Sequence, residues 1–301
     1  NGPSYLPELD AYTAYLSTLG CESHIHDQGE TVPTDAHVVW WICGRVPLRE
    51  AWRLRHAFQV HEYTSASVPP HAWLKDQVKH WTQPRPDYRI FQNGWVRERM
   101  GFGHEVPHAL RDMGVAQHFF DIAQPEVEAS LPAPEFDLVY LGEMGRLAPF
   151  LPLLQCIHDA GRSLLLVGDV PDEVRMQLPP SVTCTGRVPH ADVPRQLRLA
   201  RFGLNLVSNV EPYNQQTSTK VLEYCAAGLR VVSNDYAWVR YFAAQYEGNF
   251  HLLHDAPSSW QHSFGEALDA YPYVVPDVRS LAWHEVLKNL PIWSVLLEQK
   301  P

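Results

Sequence analysis

The chain has 301 residues, a formal net charge of -10 and a pI near 5.9, with 45% hydrophobic residues and 11% aromatics, ten tryptophans among them. That composition excludes a disordered polypeptide, and the acidic balance excludes wide contact with a nucleic-acid backbone, which needs a basic footprint. The length allows one large domain or two of ordinary size.

Five cysteines (Cys21, Cys43, Cys156, Cys184 and Cys225) are scattered and form no CxxC pair. Neither a disulfide framework nor a zinc knuckle is indicated, and a reducing cytosol is expected. No apolar run approaches the about eighteen residues that would span a bilayer, and no leader pattern opens the chain. A soluble cytoplasmic protein is expected, with peripheral contact at the inner face of a membrane left open.

In chain order, residues 7–20 read as a helix. The stretches "CESHIHD" (21–27), "HVVWWI" (37–42), "AFQVHEY" (57–63) and "YRIFQN" (88–93) read as strands. The opening "NGPSYLPELDAY" reads like the loop and helix that follow a first strand, yet no strand precedes it, so that strand is expected to be missing or the sheet to be small. The proline-rich, acidic, aperiodic run "AQPEVEASLPAPEF" (123–136) reads as a linker. It separates an N-terminal domain, 1–125, from a second domain, 136–277.

Beyond the linker, apolar runs alternate with amphipathic stretches, the pattern of βαβ units on a parallel sheet buried on both faces. Strands are expected at 137–142, 163–169, 181–186, 202–207, 229–234 and 250–254. Helices are expected at 149–160, 191–200, 217–227, 237–246 and 258–270.

The chemistry concentrates in "EPYNQQTSTKVLEYCAAGLRVVSND" (211–235). Thr217, Ser218 or Thr219 can cap a helix whose amides and dipole then face outward, a setting that favours phosphate. Lys220, in the first turn, opposes that dipole unless an anion is present. Glu223 shares its helix face three residues on and could bind a pair of neighbouring hydroxyls. The plain alternative is a surface helix with an i,i+3 ion pair.

The run "TSTKVLEYCAAGLRVVSND" resembles the donor-site helix of retaining GT-B glycosyltransferases of the glycosyltransferase-4 type. "VYLGEMGRL", "LLLVGD" and "TGRVPHADVPRQLRLARFGLNLV" resemble the strands and loops that precede it. "SLAWHEVLKNLPIWSVLLEQ" (280–299) resembles the helix that crosses back to the first domain, here the segment 278–301. The first domain matches chiefly through "VHEYTS" and "VPHALRDMGVAQHFF". The resemblance implies an α/β fold of two Rossmann-like domains with a cleft between them and a C-terminal crossover helix.

By the same resemblance, the Ser218 and Thr219 amides and Thr217 hold a donor diphosphate, and Glu223 binds the ribose. The base lies against Gly186, Arg187, Val188 and Pro189, and Arg146 meets the charge growing on the leaving group. His61 corresponds to a histidine that contacts the donor sugar, and Gly2 to a glycine loop that approaches the phosphate.

Two departures stand out. The family's acid eight positions before Glu223 is Gln215 here, with Glu211 further upstream, and no lysine follows Arg146, which makes Lys220 the candidate second cation.

The expected activity is transfer of a sugar from a UDP-, GDP- or dTDP-sugar to a saccharide or lipid-linked acceptor, with retention of configuration, in surface polysaccharide or glycoconjugate synthesis. No metal or other cofactor is expected, since no DxD run is placed to hold a metal diphosphate. No nucleic-acid partner is expected and the oligomeric state stays open. Two alternatives remain: a nucleotide-sugar epimerase or hydrolase, with Glu211 and Glu62 as its only carboxylate pair, and a non-catalytic relative of the same fold.

Overall fold

The computed structural model describes residues 6–27, 30–42, 44–254 and 257–298, except for the side chains of 257–259 and 298. By its contacts the chain divides into two units. The first holds Asn1–Gly114, Gln215–Thr217 and Trp283–Pro301; the second holds Val115–Asn214 and Ser218–Ala282. The chain thus changes unit between Gly114 and Val115, upstream of the proline-rich stretch where the sequence suggested a boundary.

The first unit carries a parallel sheet in the order β1-β2-β3-β4, with β1 at Val38–Ile42, β2 at Phe58–Tyr63, β3 at Tyr88–Phe91 and β4 at His108–Leu110. The opening helix Pro7–Thr18 is as expected. Residues 21–27 do not form a strand, because only Cys21 and Ile25 are apolar there and Ile25 is exposed, so no face exists to bury. Strand β4 escaped the sequence reading: three residues entered from Pro107 are too short to show a period.

Of the C-terminal segment 278–301, the part from Trp283 onward groups with this unit. It is two helices, Trp283–Lys288 and Ile292–Glu298, interrupted at Pro291, which cannot continue a helix. Trp293 packs 5.0 Å from Tyr15 and 5.8 Å from Trp40, ring centre to ring centre. Beneath this cluster Glu62 is buried, ion-paired to Arg111 and accepting hydrogen bonds from Tyr12 Oη at 2.9 Å and Trp40 Nε1 at 2.7 Å. Burial drives the Tyr12 phenol up to about 12, so it stays a donor.

The second unit carries six parallel strands in the order β10-β9-β8-β5-β6-β7. They are β5 (Phe136–Leu141), β6 (Leu164–Val167), β7 (Val182–Cys184), β8 (Ala200–Asn205), β9 (Arg230–Asn234) and β10 (His251–Leu253). All six match expected strands: β6, β7, β9 and β10 are shortened at their ends, and β5 and β8 begin and end one and two residues earlier than expected. Leu138, Tyr140, Leu164, Leu166, Phe202, Leu204 and Val232 are fully or almost fully buried between the helical layers, which is why these strands read as continuous apolar runs. Successive strands run outward from β5 on one side as β6 and β7, and on the other as β8, β9 and β10. The order therefore reverses between β5 and β8, and the loops leaving these two strands diverge at that point.

Candidate functional site

In an open parallel sheet, the crevice outside the carboxyl ends of the strands at such a reversal is where ligands bind. The loop after β8 leads into the helix Thr219–Ala226, the expected one shortened at its ends. Two contacts fix its position. Gly203 in β8 lets the Tyr224 ring lie flat on the strand, since a Cβ there would meet the ring carbons at 2.5 Å. The Tyr224 hydroxyl then accepts from the Leu141 amide of β5 at 3.0 Å and donates to the Leu204 carbonyl of β8 at 3.1 Å. One side chain so ties the helix to both strands at the switch point.

Ser218 stands at the N-cap position, but its hydroxyl does not cap the helix. It donates instead to Asn205 Oδ1 at 2.8 Å, and the Asn205 amide donates on to Ser233 Oγ and Tyr236 Oη. This polar network is fully buried at the end of β8. Among the described residues, the backbone N–H groups of Thr219 and Lys220 find no acceptor. The first turn thus presents free donors and the positive end of its dipole.

Lys220 leaves this turn half-buried over the Tyr140 ring, its ammonium 4.9 Å from the ring centre and 3.4 Å from the Leu206 carbonyl. Gly142, just past β5 with φ at 132°, passes beside its stem, where a Cβ would stand 3.6 Å from Lys220 Cδ. Burial, reinforced by the nearby Arg146 charge, brings the Lys220 ammonium down to about 8. At neutral pH it remains charged. It is then a desolvated cation beside unpartnered amides.

One turn on, Glu223 Oε1 lies 3.4 Å from His190 Nε2. Burial raises the Glu223 carboxyl above its usual range, opposed by His190 and Lys220. His190 packs edge-on to His118, 5.0 Å between ring centres, and against Phe119 at 5.2 Å. Burial, with the His190 ring close by, lowers the basicity of His118. The loop of Gly186, Arg187 and Val188 leads into His190, whose ring meets Glu223.

Other candidates fall elsewhere. Arg146 is in the turn after β5, exposed, paired with Glu143 at 2.8 Å and set over the Tyr213 ring at 5.4 Å. Its nearness is felt through the Lys220 charge. Glu211 is exposed in the second unit. Gln215 and Thr217 group with the first unit, where the Gln215 carbonyl accepts from Asn93 Nδ2 at 3.1 Å and the Thr217 hydroxyl donates to Asp112. Gly2 lies outside the described residues.

His61 departs from expectation. It is the fourth residue of β2, only 1% exposed, with Nδ1 3.3 Å from Tyr63 Oη. Burial, helped by Arg89, lowers its basicity to about 3. It is a neutral interior histidine with no open face toward a sugar. Glu62 is likewise sealed and ion-paired, so it cannot join Glu211 as a catalytic carboxylate pair.

The sequence reading missed Tyr224, Asn205 and His190. A signal existed for two of them: a lone asparagine interrupts the apolar run "FGLNLV", and Tyr224 follows Glu223 and so points away from it, toward the sheet.

No protein-family model matches this chain, and no curated protein matches it in sequence. Solved structures do match in fold. Anabaena HepE in complex with UDP and glucose superposes with a TM-score of 0.61 at 12% identity, over 99% of this chain and 84% of that one. Sucrose-phosphate synthase from Thermosynechococcus elongatus gives 0.58 at 16% identity, over 98% and 79%. AviGT4, a glycosyltransferase involved in avilamycin A biosynthesis, gives 0.55 at 16%, over 88% and 74%.

The chain has the GT-B fold. At these identities the fold is what is shared, and both parallel sheets of the GT-B chain take part in it. No helix among the described residues is long and apolar enough to cross a membrane.

Proposed function

We propose that this protein is a glycosyltransferase that takes its sugar from a nucleoside diphosphate donor bound by the second unit. The observation that carries the reading is the first turn of helix Thr219–Ala226, where unpartnered amides and the desolvated Lys220 ammonium meet at the β5/β8 reversal. A diphosphate satisfies both: its oxygens accept from the Thr219 and Lys220 amides, and its charge offsets the cost of burying the ammonium. Glu223, oriented by His190, accepts from the ribose hydroxyls. Lys220, with the helix dipole and the Arg146 field, then stabilises the charge that grows on the leaving diphosphate as the sugar bond breaks.

Retention of configuration, a saccharide or lipid-linked acceptor and a role in surface polysaccharide or glycoconjugate synthesis complete the reading, on the resemblance of the donor motif. No metal is invoked, for want of a DxD run. HepE was solved with UDP-glucose as well as with UDP, which makes the uridine donors the first to try.

Calorimetry with UDP-, GDP- and dTDP-sugars, followed by turnover with candidate acceptors, is the test. Binding of one donor, lost in Lys220→Ala and Glu223→Ala, supports the site. Absence of binding by all three sinks it, and tight binding without transfer or hydrolysis points to a non-catalytic relative.

A further inference from the structure

A second concentration of positive charge lies in the first unit, far along the sheet from β1. A cavity of about 320 Å³ opens over β3 and β4, lined by Arg89, Arg97, His104 and His108 with Phe91 and Phe102 as its apolar walls. Arg89 is the second residue of β3 and pairs in register with His108, the first of β4. The cavity therefore sits toward the amino ends of these strands, beside the loop that enters β4. The switch-point rule places the main ligand of such a sheet at the opposite, carboxyl ends.

Arg89 is the informative residue. Its side chain is 8% exposed, yet among the described residues it forms no ion pair, and its Nε–H is buried without an acceptor. Its guanidinium lies over the Phe102 ring at 4.5 Å, with Nη1 3.5 Å from the Gly103 carbonyl. Burial lowers its basicity, an effect that Tyr63, by its charge interaction and hydrogen bond, and Glu105 oppose only in part. Arg97, half-buried on helix Gly94–Met100, donates to His108 Nε2 at 3.3 Å and also lacks a carboxylate partner.

The neighbouring acids do not neutralise the pair. Glu98 stands exposed on the rim, and Glu105 is engaged with Arg85 at 3.2 Å. Burying a charge that has no ion-pair partner is costly, and in a protein of net charge -10 the buried Arg89 and the half-buried Arg97, neither with a carboxylate, call for an anion in the cavity they line.

We infer that this cavity is a second ligand site, one that takes a small oxyanion-bearing molecule, phosphorylated or carboxylated. Stacking on Phe102 fixes the plane of the Arg89 fork, which presents parallel donors of the kind that grip carboxylate or phosphate in two places. Phe91 and Phe102 cover the uncharged body of the ligand. The volume lies at the low end for small-molecule pockets, which suits a single sugar-sized body.

The test uses the full chain carrying Lys220→Ala, so that the amide-and-lysine site of the second unit is disabled and the two readings fail separately. Inorganic phosphate, glucose 6-phosphate, glucuronate and glucose are titrated by calorimetry. Expected is binding of at least one oxyanion probe but not of glucose, weakened tenfold or more by adding Arg97→Ala or Arg89→Met. The preference between glucose 6-phosphate and glucuronate names the anionic group. Arg97 is on a helix surface, so its variant stays informative even where Arg89→Met fails to fold. No oxyanion binding in the Lys220→Ala background, or binding unchanged by Arg97→Ala, overturns the inference.

Discussion

The ring of Tyr224 rests on the bare backbone of Gly203, close enough that a single methyl group on Gly203 would collide with it at 2.5 Å. This contact sets the height of helix Thr219–Ala226 above the sheet, and with it the place of the amides and of Lys220. Gly203→Ala is therefore expected to cost about 3 kcal/mol through overpacking and to displace the helix. Urea unfolding reads the first effect and UDP affinity the second. Tyr224→Phe keeps the ring but strands the Leu141 N–H and the Leu204 carbonyl, at about 1–3 kcal/mol. A Gly203→Ala protein as stable and as tight for UDP as the parent would refute the packing argument.

Donor binding should weaken with rising pH. The diphosphate needs the charged form of Lys220, whose ammonium loses its proton near 8 in the free protein. If the bound form stays charged, affinity for UDP falls about tenfold between pH 7 and pH 9. In Lys220→Arg the cation does not titrate and the fall disappears. For stability the sign is the reverse. A lysine whose folded pKa is depressed costs the fold most below pH 8, and the cost is relieved as pH rises through 8 toward its unfolded value. A UDP affinity that is flat from pH 7 to pH 9 in the parent protein would exclude Lys220 as the phosphate cation.

How much of this was legible beforehand follows from where each residue sits. The six strands of the second unit announce themselves because burial on both faces writes long apolar runs into the sequence. The helix Thr219–Ala226, Lys220 and Glu223 were likewise plain, since their spacing is local. What was not legible depends on tertiary position. His61 and Glu62 stand in a strand that reads half polar, and nothing local says that Arg111, 49 positions on, neutralises Glu62. Ser218 looked like a helix cap, but Asn205 competes for its hydroxyl from another strand. The side chain turned inward leaves the amides free, which strengthens the anion reading by a route that the sequence does not show.

Glu223 should recognise ribose through its hydroxyls. Glu223→Gln keeps the shape and one acceptor but loses the charge, and is expected to weaken UDP by about 1.5–3 kcal/mol, the range for a charge-assisted hydrogen bond. The same change should leave the affinity for 2′-deoxy-UDP or for pyrophosphate nearly untouched. Equal losses on all three ligands would show that Glu223 only supports the helix.

The Glu62–Arg111 pair should act as the anchor under the C-terminal helices. Arg111 also lies over the Trp283 ring at 5.2 Å, so it joins β2, the loop after β4 and the returning chain. Removing one partner leaves the other charged and buried, so Arg111→Met is expected to cost about 3–5 kcal/mol. The double variant Glu62→Leu with Arg111→Met should recover much of that loss. A double variant no more stable than Arg111→Met alone would mean that packing rather than charge dominates there.

His61 should make the first unit acid-sensitive. Its folded pKa lies near 3 because the ring is buried, whereas the unfolded chain takes up a proton near 6.5. Between these values the unfolded state binds the extra proton. Stability is therefore complete above about 6.5 and is lost as pH falls toward 3, at a limiting rate of about 1.4 kcal/mol per pH unit. His118 and His251, also buried and less basic than usual, add slopes of the same sign from the second unit. The isolating measurement is the difference between parent and His61→Gln in urea midpoints at pH 7, 6 and 5. The variant is expected to be less stable at pH 7, where it disturbs the Tyr63 contact, and to lose less between pH 6 and pH 5. Parallel pH profiles would show that His61 is protonated in the folded protein, and would reopen its candidacy as a residue that reaches solvent and substrate.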